Sequence, residues 1–193
     1  MNMQRKVLLG CGAAMCVTSL ACFAAYKYVL PLTAVSIMDV PPSLLKSKSP
    51  ANLGTAAFLR DEAFSNYSAY FYVFDTVKSS KPISVGGPYA SDGNTKMQNA
   101  IWSKDGSIVA IRAKVGETAG HSFSKYFGEF FVDAYDFRKH KAIGVGASTR
   151  EKSQLIKGLI AQRGGQGKIA LPSPNAFTSN HQISEQEAKQ FKR

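Results

Sequence analysis

Residues able to do acid–base, nucleophilic or metal chemistry are few in this chain, and they are scattered. The three histidines, His121, His140 and His181, lie far apart. Among themselves they lack the spacings that build a metal site on one element. A general base must reach the proton it removes, and the one hydrolytic arrangement the sequence leaves open is His121 with a strand carboxylate. Asp133 and Asp136 form a close carboxylate pair on a predicted strand. Three residues apart, they point to opposite faces, which spoils a shared acid–base site, and Asp136 is expected to organise its turn. The cysteines, Cys11, Cys16 and Cys22, all precede Leu32. The remainder therefore has no disulfide, thiol nucleophile or Cys-based zinc site, and it carries no Gly-x-Ser-x-Gly elbow. Arg163-Gly-Gly-Gln-Gly-Lys168 resembles the tail of a phosphate loop, but Gln162 and Ile169 stand where glycine and a hydroxyl residue belong. It reads instead as a helix stop. No cofactor is expected, and the balance leans away from an enzyme.

Charge is the more informative property. The chain has 24 Lys and Arg against 13 Asp and Glu, a net +11. Arg5, Lys6 and Lys27 precede residue 32, so 21 basic residues face all 13 acidic ones beyond it, a surplus of eight. Such a field serves solubility or attracts anionic partners. Two groups could carry a contact: Arg138, Lys139 and Lys141 at a predicted hairpin tip, and Arg150, Lys152, Lys157, Arg163 and Lys168 along and after a predicted helix. An acidic protein, an acidic glycan or an anionic lipid would suit them. Nucleic acid is disfavoured because the chain is expected to be exported. Asn66-Tyr67-Ser68 is a glycosylation sequon, meaningful only in a eukaryotic secretory pathway.

Export is inferred from the N-terminus. Val7 to Ala25 is 19 residues with no charge, enough to cross a hydrocarbon core of roughly 30 Å. Arg5 and Lys6 precede it, and Tyr26, Lys27 and Tyr28 follow as an interfacial belt. It reads as an uncleaved signal anchor, with a cleaved secretory signal and a lipoprotein signal at Cys22 as alternatives. Each exports the rest, most simply from a bacterial inner membrane into the periplasm.

The predicted organisation is a membrane or signal segment over residues 1–31, a stem over 32–52, an α+β domain over 53–170 and a tail over 171–193. PPSLLKSKSP, within the stem, has three prolines, three serines and two lysines, the composition of an extended spacer. A short helix is expected over Leu53–Phe64, with Asn52 as its cap. Tyr70 to Phe74 is apolar on both faces, as in a central covered strand. Pro82–Val85 is extended and Gly86–Lys96 reads as a loop. Met97–Ser103 and Ser107–Ala113 form a hairpin about Asp105-Gly106, with Val109, Ile111 and Ala113 on the expected core face. Lys114–Lys125 reads as a loop and Phe127–Phe137 as a strand. Ser148 and Glu151 form a capping box for a helix ending at Gly164-Gly165, its face of Leu155, Ile156, Leu159 and Ile160 docking on the sheet. A second box, Ser184 to Glu187, opens an exposed terminal helix.

AIWSKDGSIVAIRA (residues 100–113) and EFFVDAYDFRKHKAI (residues 129–143) resemble WD-type and related bacterial β-propeller repeats. Trp102, Ser103, Asp105 and Gly106 match the corner of such a repeat, and Asp136 with Lys139 matches its second turn. YFYVFDTVKSSKPI is a weaker copy of that second hairpin. The resemblance spans about one and a half blades, Tyr70 to Ile143, and implies an antiparallel meander. A propeller needs at least four blades of roughly 40 residues, more than this chain supplies. The fold expected is therefore α+β: an antiparallel meander sheet packed by one main helix. The function expected is a membrane-tethered, exported binding or accessory protein using its basic face. An exported hydrolase and an immunity-type or structural envelope protein are the alternatives.

Overall fold

The computed structural model describes residues 40–63, 66–90, 95–115 and 128–191. The expected membrane segment and His121 lie outside these residues. Among the described residues no helix is long and apolar enough to cross a membrane.

Two antiparallel sheets form where one was expected. The first has the order β1-β2-β3-β4, built from Val40–Lys48, Thr55–Ala63, Asn66–Phe74 and Ile83–Ala90. The second has the order β8-β7-β6-β5-β9. Its strands are β5 (Thr95–Ser103), β6 (Ile108–Val115), β7 (Gly128–Asp136), β8 (Lys141–Ala142) and β9 (Gln166–Leu171). Helix α1 spans Thr149–Gln162, and a single turn, α2, spans Glu185–Ala188. The α+β class and the main helix agree with the sequence, and β1–β4 and β5–β8 are each a meander.

Strand alternation explains the layers. Phe58, Phe71 and Val73 of the first sheet meet Trp102, Val109, Ile111 and Tyr135 of the second in one core. Ile101, Ile108, Ala110, Phe131 and Ala134 face the other way, against Ile156 and Ile160 of α1. Both faces of β6 are thus buried, not the Val109 face alone. Burying each such large apolar side chain contributes about 1.5–3 kcal/mol. The outer face of the first sheet, with Leu59 and Tyr72, is covered by Ile183, Ala188 and Phe191.

Several expectations are corrected. PPSLLKSKSP is mostly strand β1 rather than a stem. Proline is tolerated at the start of an edge strand, and here Pro41 and Pro42 fall in a register shift between Val40 and Ser43. The predicted helix over Leu53–Phe64 is strand β2, in register with β1 and β3. Pairing on both sides and burial on both faces override the helix propensity of its alanines. Much of the predicted loop Gly86–Lys96 also belongs to strands, β4 running to Ala90 and β5 starting at Thr95. The segment after Gly164-Gly165 continues as β9, paired with β5. The terminal helix is exposed along its polar residues, as expected, while Ile183, Ala188 and Phe191 dock it on the first sheet. Phe191 stacks edge-on against Tyr72 with ring centroids 4.9 Å apart, and the Ile183 N–H donates to Pro42 O at 2.8 Å.

The Trp-Ser-Lys-Asp-Gly corner joins the two sheets. Trp102 is fully buried and donates from Nε1 to Ser47 Oγ at 3.1 Å. Ser49 Oγ donates to Gly106 O at 2.6 Å. Gly106 has φ +69°, and a Cβ there would stand 2.8 Å from Ala51 N. Glycine at this position meets both the conformational and the steric demand.

Candidate functional site

The eight basic residues singled out in the sequence divide by what they touch. Arg138 Nη2 lies 3.2 Å from Asp105 Oδ2. Arg163, which caps the C-terminus of α1, reaches Asp105 Oδ2 at 3.9 Å and Asp136 Oδ2 at 3.7 Å. Two arginines against two aspartates leave this cluster with no net charge. Asp105 also accepts from the Ser103 and Ser107 hydroxyls and the Ser107 N–H. Burial works to raise its pKa, but these bonds and the nearby Arg138 outweigh it and hold the carboxyl below its usual range. Lys152 Nζ donates to Asp133 Oδ1 at 3.2 Å.

Lys139 and Lys141 are exposed and have no ion pair among the described residues. Lys141 stands on β8 and Lys168 on β9, opposite edges of the second sheet. Lys157 borders a separate recess with Phe131 and Gln166, and Arg150 is exposed in the first turn of α1. The structure therefore gathers Lys139 and Lys141 in one place, ties Arg138, Lys152 and Arg163 to internal carboxylates, and leaves Arg150, Lys157 and Lys168 apart from the pair.

Beside the two lysines lies a groove of about 550 Å³. Leu155 and Leu159 of α1 form one wall, and Ala142, Ile143 and Val145 form the other. Lys139 and Lys141 line it too, as does Asp136. Local sequence explains the shape. The Ser148–Glu151 capping box fixes where α1 begins, and Gly144 and Gly146, at φ +70° and +81°, turn the chain from β8 toward it. Val145 is 82% exposed and Leu155 48% exposed, so the walls present apolar surface to solvent. Asp136 Oδ1 accepts from the Arg138 and Lys139 N–H groups at 2.9 and 3.2 Å, organising the turn as expected. Its Oδ2 is buried without a hydrogen bond.

Two further polar clusters fasten the layers together. Asp75 is fully buried. It accepts from Tyr135 Oη at 2.9 Å, lies 2.8 Å from His140 Nδ1, and its Oδ1 accepts from the Val77 and Lys78 N–H groups. Burial raises its pKa, while His140, Tyr135 and the Lys78 N–H together bring it below the ordinary value. Burial and the Asp75 charge push the Tyr135 phenol well up. The second cluster joins Tyr89 of β4 to Asp133 of β7, with Lys152 on the same carboxylate. Burial first, then the Asp133 charge, raises the Tyr89 pKa.

A buried carboxylate holding an imidazole supplies two of a triad's three members. Among the described residues, however, no Ser or Thr hydroxyl bonds His140, and Tyr135 engages Asp75 instead. The arrangement joins the β3–β4 turn of one meander to the β7–β8 turn of the other. Among the described residues, no group of three or more His, Cys, Asp or Glu is placed to hold a metal ion.

The Asp75–His140 contact spans 65 positions and leaves no spacing signal. Its one trace is the Asp that ends both YFYVFD and AYD, since Asp75 and Asp136 accept equivalent turn N–H groups. The groove walls were within reach of sequence reasoning. Leu155, Ile156, Leu159 and Ile160 make two i, i+4 pairs about 100° apart, and only the isoleucines are buried. Comparison with protein-family models, with curated proteins and with solved structures finds no match for this chain.

Proposed function

We propose that this chain is a membrane-tethered, exported binding or accessory protein that is not an enzyme. In this reading Val7–Ala25 anchors it, and its folded domain stands outside the cytoplasm, on the periplasmic side of a bacterial inner membrane. The domain engages an acidic partner or envelope component through Lys139 and Lys141. The observation that carries the reading is the groove between α1 and β8, where these two lysines have no ion pair among the described residues while neighbouring arginines are neutralised. Exposed Val145 and Leu155 beside them give a contact surface more than charge alone.

The test uses the full chain in nanodiscs of zwitterionic phosphatidylcholine, titrated with fluorescent polyglutamate across a salt series. Binding should weaken as salt rises. It should also weaken in the Lys139→Gln/Lys141→Gln variant and persist in Lys168→Gln. Absent or salt-independent binding would overturn the reading.

A further inference from the structure

We propose that the ligand of this groove is a small anionic amphiphile, a carboxylate or phosphate head joined to a hydrocarbon body. The inference rests on the binding role proposed above and names the chemistry of its ligand. Size is the first argument. At about 550 Å³ the groove falls within the range of roughly 300–1,000 Å³ that holds small molecules. A specific protein interface buries about 800 Å² on each partner, a different kind of surface.

The lining is the second argument. Leu155 and Leu159 oppose Ile143 and Val145, and the cations come from one short stretch, Lys139 and Lys141. A glycan or a purely acidic peptide would satisfy the lysines but leave exposed Val145 and Leu155 in water. A neutral lipid would cover the walls and leave the lysines without a counter-charge. An anionic amphiphile uses both. The charge balance is the third argument: with Arg163 beside Asp136 and Arg138 beside Asp105, the surplus at the groove among the described residues is the pair of lysines. The head binds at Lys139 and Lys141, and the hydrocarbon lies between α1 and the segment following β8.

Photolabelling tests this on the full chain in phosphatidylcholine nanodiscs. The probe is a twelve-carbon carboxylate with a diazirine near its tail, compared with the matched alkyl phosphate, alcohol and trimethylammonium. Labels should map to residues 143–159, with both anions exceeding the alcohol about three- to tenfold, as expected for two exposed charge contacts. Each methylene removed should weaken saturation about fourfold where that methylene is buried. Inorganic phosphate should fail to displace the alkyl phosphate, which separates an amphiphile site from a free-phosphate site. Lys139→Gln/Lys141→Gln should reduce the anions to the alcohol's level. Leu155→Gln, at a half-exposed position, should reduce labelling by all the probes.

Equal labelling by anion, alcohol and ammonium, labels mapping elsewhere, or displacement by inorganic phosphate would overturn the proposal. If it fails while polyglutamate binding still depends on salt and on the two lysines, the amphiphile is wrong and the acidic-partner reading stands. Loss of both signals would sink both.

Discussion

Alanine at Gly106 tests whether the Trp-Ser-Lys-Asp-Gly corner holds the two sheets together. Gly106 has φ +69°, and an added Cβ would sit 2.8 Å from the Ala51 nitrogen and 3.2 Å from Ala51 Cβ. Left-handed backbone costs a residue with a Cβ about 1–2 kcal/mol. Pushing the β1–β2 turn away adds about 1–3 kcal/mol of overpacking. It also strains the Ser49 Oγ to Gly106 O bond, worth about 1 kcal/mol. Gly106→Ala should therefore destabilise by about 3–6 kcal/mol. Gly146 is the control, because its φ is +81° with nothing within 4 Å of an added Cβ. Gly146→Ala should cost only the backbone term, about 1–2 kcal/mol. At about 2–4 °C per kcal/mol for a domain of this size, Gly106→Ala should lower Tm by about 10 °C and Gly146→Ala by about half of that or less. The readout is fluorescence of Trp102, the single tryptophan, which is fully buried. Equal shifts for the two variants would refute the docking argument.

The same fluorescence assay checks three further expectations. Ile156→Ala, in the fully buried helix stripe, should cost about 2–5 kcal/mol, whereas Leu155→Gln should stay within about 1 kcal/mol of the parent. Phe191→Ala should cost about 3–5 kcal/mol and increase binding of an apolar dye, because it uncovers Tyr72 and Phe74. Acid sensitivity follows from Asp75 and Asp105, whose carboxyls are both held below their usual range in the folded chain. Depressed folded values give stability that is full above the unfolded carboxylate pKa of about 4 and is lost as pH falls through the folded values. Stability measured from pH 6 down to pH 2 should fall, and Asp75→Asn should flatten that fall while lowering stability at neutral pH. An unchanged acid slope in Asp75→Asn would contradict the assignment.

Local signals were legible wherever short-range chemistry decides structure. The Asp105-Gly106 turn, the Ser148 and Ser184 capping boxes and the stop at Gly164-Gly165 all appear where their residues place them. Segments whose state depends on distant partners were not legible. Pro41, Pro42 and the serines of β1 read as a spacer because nothing local shows that the tail, through Ile183 and Gln182, will cover that edge. Thr55–Ala63 reads as a helix because the pairing that makes it a strand comes from β1 and β3. The candidate site shows the same division. Lys139 and Lys141 were recognisable as cations at a hairpin tip. That Arg138 and Arg163 are neutralised by Asp105 and Asp136 depends on contacts between elements far apart in sequence.

Lysine protection tests the central claim most directly. The full chain in phosphatidylcholine nanodiscs is acetylated at limiting reagent with and without dodecyl phosphate, and modification at each lysine is measured by mass spectrometry. If the groove between α1 and β8 is the binding site, Lys139 and Lys141 should be protected several-fold while Lys157 and Lys168 react unchanged. Uniform protection of all four, or protection of Lys157 and Lys168 alone, would contradict it.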